Sequence, residues 1–114
     1  MDQLNRPYFR HFVIEAQTTA ENLNSLDWLM SKTEELLSKL DIIAIKNIHH
    51  EFNPVGISLV YILSSSHIAI HTWPENKYLH IDLVTCTKNP LIDTIKKVAK
   101  PIFGKDTKTN ELIY

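Results

Sequence analysis

Strict alternation between apolar and other side chains in two neighbouring segments constrains the fold of this chain more than any other feature. In YLHIDLVTC (78–86), Leu or Ile stands at every second position from Leu79 to Leu83. The segment HIAIHTW (67–73) alternates in the same way around Ile68 and Ile70. Because successive side chains of a β-strand point to opposite faces, we predict two strands with one apolar face against helices. The opposite face then collects His67, His71, His80, Asp82 and Cys86.

The remaining elements follow from periodicity and from turn signals. Segments rich in β-branched and aromatic residues predict strands over 8–16, 42–52, 57–63 and 78–85, with 68–73 as a further strand or a continuation of 57–63. A short edge strand is possible in 107–114. Apolar residues at intervals of three and four predict one amphipathic helix over 21–40, with Thr18 and Glu21 in capping-box spacing. A second helix is predicted to start at Asn89-Pro90 and to end near Pro101 and Gly104.

The predicted buried face of the second helix consists of Leu91, Ile92, Ile95, Val98, Ala99 and Ile102. The order β-α-β-β-β-α favours an α+β fold, with an antiparallel sheet and two helices on one face. Segment 57–63 is apolar on both faces, so the sheet needs cover on both sides. With two helices available, we predict that a second copy of the chain covers the other face.

Composition bounds the class of protein. With 114 residues, of which 44% are hydrophobic and 22% charged, the chain is typical of one soluble domain spanning 1–114. Its net charge of −1 gives no sign of a nucleic-acid or membrane partner. A single cysteine excludes an internal disulfide and fits a reducing compartment. We find no leader-like segment and no apolar run near the roughly 18 residues of a membrane span, and therefore expect a cytoplasmic protein.

The histidines and the cysteine of the polar face are compatible with several roles. His67, His71, His80 and Cys86 are all possible zinc ligands. However, the first two stand four residues apart on a strand, about 13 Å, so we predict no metal site. A lone cysteine is commonly a small core residue, and a strand histidine is commonly a surface residue. Spacing alone therefore does not decide the chemistry.

Two longer strings of residues resemble the signatures of a known family. The string SSHIAIHTWPE (65–75), followed by IDLVTC (81–86), resembles the S-H-x-x-I-H-T-W-P-E and I-D-x-x-T-C signatures of the prokaryotic S-adenosylmethionine decarboxylase proenzymes. The resemblance extends back through Phe52-x-Pro54-x-Gly56-x-Ser58 and to His11-x-x-x-Glu15, and covers roughly residues 8 to 103. Ser65 stands where that family usually has glutamate.

The resemblance implies a self-cleaving enzyme with a covalent pyruvoyl cofactor and no metal. Ser66 would attack the carbonyl carbon of Ser65, and the resulting ester would eliminate to leave a pyruvoyl group derived from Ser66. That group would form a Schiff base with the amine of the substrate and accept its electrons when CO₂ leaves.

The resemblance also implies roles for individual residues. His71 and Ser58 correspond to the pair that assists self-cleavage, and Cys86 to the acid that reprotonates the substrate. Substrate contacts are implied for Phe52, which would stack on adenine, for Glu75, which would hold the ribose hydroxyls, and for the variant position Ser65.

The fold implied by the family is a four-stranded or slightly larger antiparallel sheet with two helices on one face, a two-layer sandwich that dimerises as αββα. In that homodimer, Ser66 and Cys86 of one protomer would face Phe52, Ser58, His71 and Glu75 of the other. Active sites would then be shared between protomers.

Three functions stay open at this point. The first is decarboxylation of S-adenosylmethionine, which supplies the aminopropyl donor for spermidine synthesis. The second is pyruvoyl-dependent decarboxylation of arginine or ornithine on the same fold, a change of substrate that Ser65 could accompany. The third is an uncleaved, non-catalytic paralogue, although the joint presence of Ser58, Ser66, His71 and Cys86 argues against a pure binding module.

Overall fold

The computed structural model describes residues 4–90 and 92–114. One antiparallel sheet of six strands packs against three helices, which confirms the predicted α+β class. The elements are β1 (Arg10–Gln17), α1 (Ala20–Leu23), α2 (Leu26–Lys39), β2 (Ala44–Glu51), β3 (Ile57–Leu63), β4 (Ser66–Trp73), β5 (Tyr78–Thr85), α3 (Ile92–Phe103) and β6 (Lys108–Leu112). A 3₁₀ turn, Pro74–Asn76, joins β4 to β5. In these residues no helix is both long and apolar enough to cross a membrane.

The strands lie in the order β2-β3-β4-β5-β1-β6, so the three segments that carry the signature residues are neighbours in the sheet. The register aligns Ser58 with His71, and His71 with His80. At the other end of β4, Ser66 aligns with Leu63 and Thr85. Side chains that were far apart in sequence are therefore placed side by side by the antiparallel pairing.

The predicted division of the sheet into two faces is confirmed for the strand residues. Cys86, which was predicted on the polar face, lies just beyond the end of β5. Ile68, Ile70, Leu79, Ile81 and Leu83 are fully buried, in one core with apolar residues of all three helices. The opposite face, which we call the open face, carries in its three central strands Ser58, Val60, Ile62, His67, Ala69, His71, His80, Asp82 and Val84. Within the described residues, no helix packs a hydrophobic core against the open face. Its apolar side chains are therefore accessible, and Ile62 is 49% exposed.

The prediction of one continuous helix over 21–40 is wrong. The chain leaves the helix at Asn24, because the Oδ1 atom of Asn24 accepts a hydrogen bond from the backbone N–H of Gly56 at 3.1 Å. A new helix then starts with Ser25 as its cap, and the Ser25 hydroxyl accepts from the N–H of Trp28. The first cap is Thr19, not Thr18 as predicted, since Thr19 Oγ1 accepts from the N–H of Asn22. A contact distant in sequence thus overrides a local helical pattern.

The ends of several elements also differ from the predictions. Pro90 lies in a bend and is not the first helical residue of α3, while Leu91 lies outside the described residues. Pro101 sits inside α3, which continues to Phe103 and ends where Gly104 adopts a positive φ of 124°. The possible edge strand in the tail is present as β6.

Candidate active site

The serine triplet forms the tip of a β-hairpin. Ser64 and Ser65 make the turn between β3 and β4, and Ser66 is the first residue of β4, two positions earlier than the predicted start. The backbone N–H of Cys86, just beyond β5, donates a 3.0 Å hydrogen bond to the carbonyl oxygen of Ser65. The carbonyl that precedes Ser66 is therefore polarised and held in place by its neighbour strand.

Ser66 has an unusual backbone conformation. Its φ angle is +147°, a region that glycine adopts readily and other residues avoid because of Cβ clashes. Conformations of this kind cost on the order of 1–3 kcal/mol and are found where the surrounding structure forces them. Here the hairpin register and the Cys86 N–H hold the two ends of the strained segment. Strain is thus located at the Ser65-Ser66 peptide unit.

A chain of polar side chains runs from Ser66 across the open face. Ser66 Oγ lies 3.4 Å from Nδ1 of His67, and His67 Nε2 lies 4.0 Å from Oδ2 of Asp82. The other oxygen of Asp82 bonds to Nε2 of His11, whose Nδ1 is 2.7 Å from the hydroxyl of Tyr114. Three strands, β4, β5 and β1, and the C-terminal tail contribute to this chain.

The second group of signature residues lies at the opposite end of β4. The Ser58 hydroxyl is 2.7 Å from Nδ1 of His71, directly across the β3-β4 pairing. The rings of Trp73 and Tyr78 line the same end of the open face, 5.7 Å apart between centroids. Burial is the larger cause, and the hydrogen bond that the Tyr78 hydroxyl donates to Glu15 the smaller one, of the rise in the pKa of Tyr78 to about 12.

Phe52 and Glu75 are at that same end. Phe52 is 51% exposed, and its ring meets the ring of His50 edge-on at 4.6 Å. Its N–H donates to the carbonyl of Gly56, and the Asn24 contact with Gly56 fixes this turn to the helical layer. Glu75 is exposed in the 3₁₀ turn. Both side chains are thus available to a molecule outside the protomer.

We call Ser65, Ser66 and Cys86 the cleavage half-site, and Phe52, Ser58, His71 and Glu75 the histidine half-site. Each half-site is assembled by the fold, but the two are not brought together within one chain. Ser66 and His71 are five residues apart on one strand, about 16 Å. Among the described residues, no three His, Cys, Asp or Glu side chains converge as a metal site would require.

Two features were missed by the sequence predictions. One is the connected chain His67–Asp82–His11–Tyr114, although strand alternation had placed His67 and Asp82 on one face. The other is Arg10, which clamps the segment after Cys86 by donating to the carbonyl oxygens of Lys88 and Pro90 at 3.1 and 3.2 Å.

Arg10 is itself held by Glu111, which accepts two hydrogen bonds of 2.8 Å from the guanidinium. The same bonds hold the pKa of Glu111 below its usual value and raise that of Arg10. Only the antiparallel pairing of β1 with β6 brings these two residues together.

Comparisons with known proteins identify the family of this chain. The family model described as S-adenosylmethionine decarboxylase matches residues 10–112. The chain belongs to this family. The match confirms the resemblance carried by the hairpin and strand signatures.

Individual relatives show how far the similarity extends. An S-adenosylmethionine decarboxylase proenzyme of Clostridium botulinum (strain Loch Maree / Type A3) is 40% identical over 68 residues, which make up 60% of this chain and 59% of the relative. The match thus spans about three fifths of that relative's length. A proenzyme of the same name from Archaeoglobus fulgidus is 31% identical over 78 residues, 68% of this chain and 70% of the relative.

A solved structure resembles the fold over nearly the whole chain. The crystal structure of the adenosylmethionine decarboxylase from Aquifex aeolicus vf5 superposes with a TM-score of 0.78. The superposition covers 94% of this chain and 90% of the other, with 20% sequence identity. At that identity the comparison establishes the shared fold.

Proposed function

We propose that this chain is a proenzyme that cuts itself between Ser65 and Ser66 and then decarboxylates S-adenosylmethionine. The observation that carries the proposal is the geometry of the hairpin tip. A strained serine follows a carbonyl whose oxygen accepts a hydrogen bond from the Cys86 N–H. This is the arrangement that an intramolecular attack of hydroxyl on carbonyl requires, a nucleophile beside an electrophile with a donor for the developing oxyanion.

Self-cleavage would proceed in two stages. The Ser66 oxygen adds to the carbonyl carbon of Ser65, the negative oxygen is stabilised by the Cys86 N–H, and the C–N bond breaks to leave an ester and a free amine. The proton on Cα of Ser66 is then removed, the bond between Cβ and the ester oxygen breaks, and Ser65 departs as a carboxylate. Hydrolysis of the resulting dehydroalanine releases ammonia and leaves a pyruvoyl group at position 66. Strain at Ser66 favours the first stage, because it is released once the peptide bond is cut.

The residues present fit this cofactor. Only the backbone nitrogen and the hydroxyl of Ser66 are consumed. Cys86 lies beside position 66 because Thr85, the residue before it, pairs with Ser66 in the β4-β5 register. A pyruvoyl carbonyl supplies an electron sink for loss of CO₂ from a bound amino acid. The thiol of Cys86, which is exposed, would then return a proton to the α-carbon of the substrate.

The choice of S-adenosylmethionine as substrate is supported by the histidine half-site and by the relatives. Phe52 offers an accessible ring for stacking on adenine, and Glu75 an accessible carboxylate for the ribose hydroxyls. The named relatives are S-adenosylmethionine decarboxylase proenzymes. The assignment of these two residues to substrate contacts is part of the proposal.

The proposed active form is a homodimer that pairs the open faces of two protomers. Isoleucines 48 and 62 are 73% and 49% exposed on this face or its rim, and Trp73 is 41% exposed. A face-to-face two-fold arrangement would cover these side chains. With the two β4 strands running in opposite directions, it would also bring the cleavage half-site of one chain to the histidine half-site of the other.

The substrate proposal is tested by CO₂ release from S-adenosylmethionine, arginine and ornithine under identical conditions. We expect release from S-adenosylmethionine only. Release from arginine or ornithine, with none from S-adenosylmethionine, would replace the substrate while keeping the pyruvoyl chemistry. A cleaved protein inactive on all three would argue for a non-catalytic role.

Replacing Cys86 by alanine should separate cleavage from turnover. The backbone N–H that binds the Ser65 carbonyl survives the substitution, so the chain should still cut itself at a rate close to wild type. Loss of the thiol removes the proton donor, and CO₂ release should fall by about 10²-fold or more. Intact-mass spectra and the CO₂ assay measure the two effects on one sample. A Cys86→Ala chain that folds but stays uncut would show that the side chain itself serves cleavage.

A further inference from the structure

His67 is the one imidazole that contacts Ser66 in the described chain, and no role has been assigned to it so far. We propose that His67 removes the proton from the Ser66 hydroxyl within the same protomer, and that Asp82 orients its ring for this task. The inference rests on the proposed self-cleavage and deepens it, because it divides the two stages between two histidines. His67 acts on the attacking oxygen, and His71 of the partner protomer acts on the elimination that follows.

Position within the sheet favours His67 over His71 for the first stage. Nδ1 of His67 is 3.4 Å from Ser66 Oγ, a distance that a small rotation of either side chain shortens to a hydrogen bond. His71 of the same chain is about 16 Å further along β4. Its Nδ1 is already engaged with the Ser58 hydroxyl at 2.7 Å. A serine about to attack therefore has a base beside it before any partner arrives.

Asp82 determines which nitrogen of His67 is available. Its carboxylate lies 4.0 Å from Nε2, the ring nitrogen that faces away from Ser66. A carboxylate on that side favours the tautomer with its proton on Nε2, which leaves the lone pair of Nδ1 directed to the serine. Serine, histidine and carboxylate follow one another in the order of a Ser-His-Asp triad, with contacts of 3.4 and 4.0 Å and with the roles of the two ring nitrogens exchanged.

The register of β4 and β5 explains how Asp82 reaches His67. Asp82 is paired with Ala69, and His67 with Val84, so the carboxylate and the ring are diagonal neighbours on the open face. The small side chain of Ala69 leaves room for Asp82 to lean towards the ring. On its far side Asp82 is bound by His11, which is held in turn by Tyr114. The carboxylate is thus fixed from the β1 side.

The proposed step balances without any external reactant. The proton leaves Ser66 Oγ for Nδ1 of His67 while the oxygen bonds to the Ser65 carbonyl carbon. When the C–N bond breaks, the same proton passes from His67 to the departing amine of residue 66. The product is an ester between Ser66 Oγ and Ser65, and His67 is returned to its starting form.

Hydroxylamine distinguishes the two stages, because it cleaves esters rapidly and leaves amides intact. In His67→Gln the amide should persist: cleavage should slow by about 10²-fold or more, and hydroxylamine should release no additional fragment. In His71→Ala the ester should accumulate, and hydroxylamine should yield residues 1–65 as the hydroxamate and 66–114 with an N-terminal serine. Intact-mass spectra identify each product.

Three further measurements separate catalysis from a structural effect. His49→Gln, an exposed histidine of edge strand β2, is the matched control and should cleave like wild type. In His67→Ala, added imidazole should restore cleavage, since the ring position is 46% exposed in the protomer before the open faces pair. Asp82→Asn should slow cleavage, and combining it with His67→Gln should add little, because Asp82 acts through His67.

The outcomes are decisive in each case. A folded His67→Gln that cleaves like wild type, or that accumulates a hydroxylamine-sensitive ester, would overturn the role of His67 and leave self-cleavage standing. Should the double variant show the full product of the two single losses, Asp82 would not act through His67. A wild-type chain that never cuts itself would overturn the proposed function together with this inference.

Discussion

Ser66→Ala should leave the chain whole and without decarboxylase activity, whereas the wild-type protein should resolve into fragments 1–65 and 66–114. The reason is chemical. Alanine has no hydroxyl to attack the Ser65 carbonyl, so neither the ester nor the pyruvoyl group can form. The expected effect is complete loss, measured by intact-mass spectra after prolonged incubation and by CO₂ release from S-adenosylmethionine.

The serine triplet provides its own control. Ser64→Ala removes a neighbouring hydroxyl that is exposed in the hairpin turn, while the N–H of Ser64 still donates to the carbonyl of Ile43 at 2.9 Å. This variant should cleave and turn over like wild type. If Ser66→Ala were still cut between residues 65 and 66, or if the wild type stayed full-length, the self-cleavage proposal would be abandoned.

Co-folding Ser66→Ala with His71→Ala should restore cleavage that neither variant shows alone. In each homodimer every shared site lacks either the nucleophile or the histidine of the partner. In a mixed dimer, the intact Ser66 of one chain meets the intact His71 of the other, while the second site lacks both. Random pairing gives about half mixed dimers, so about half of the His71→Ala chains should be cut. Native mass spectrometry counts the mixed dimers, and the fragment masses report which chain was cut.

A second pairing tests the division between the two histidines. Ser66→Ala co-folded with His67→Gln should give no complementation, because His67 must lie in the same chain as the attacking serine. If Ser66→Ala and His71→Ala chains exchange subunits but no chain is cut, the whole site lies within one protomer. If Ser66→Ala and His67→Gln chains restored cleavage together, His67 would instead act on the Ser66 of the partner protomer.

Local pattern was enough to determine the sheet and its two faces. The alternation in 67–73 and 78–86 follows from the period of two in a β-strand, and burial of Ile68, Ile70, Leu79, Ile81 and Leu83 confirms it. The helices were likewise located by their apolar periodicity. The family was predicted from contiguous residues alone, because the strings SSHIAIHTWPE and IDLVTC can be recognised without knowledge of the fold.

The tertiary structure decided what depends on contacts between distant segments. Asn24 breaks the first helix because its amide reaches Gly56, 32 positions away. The positive φ of Ser66 follows from the closure of a particular hairpin, and the Cys86 bond to Ser65 follows from the β4-β5 register. His11 and Tyr114 meet around Asp82 only because β1 lies between β5 and β6. No local preference encodes such pairings, since each is stabilised only once the whole sheet has formed.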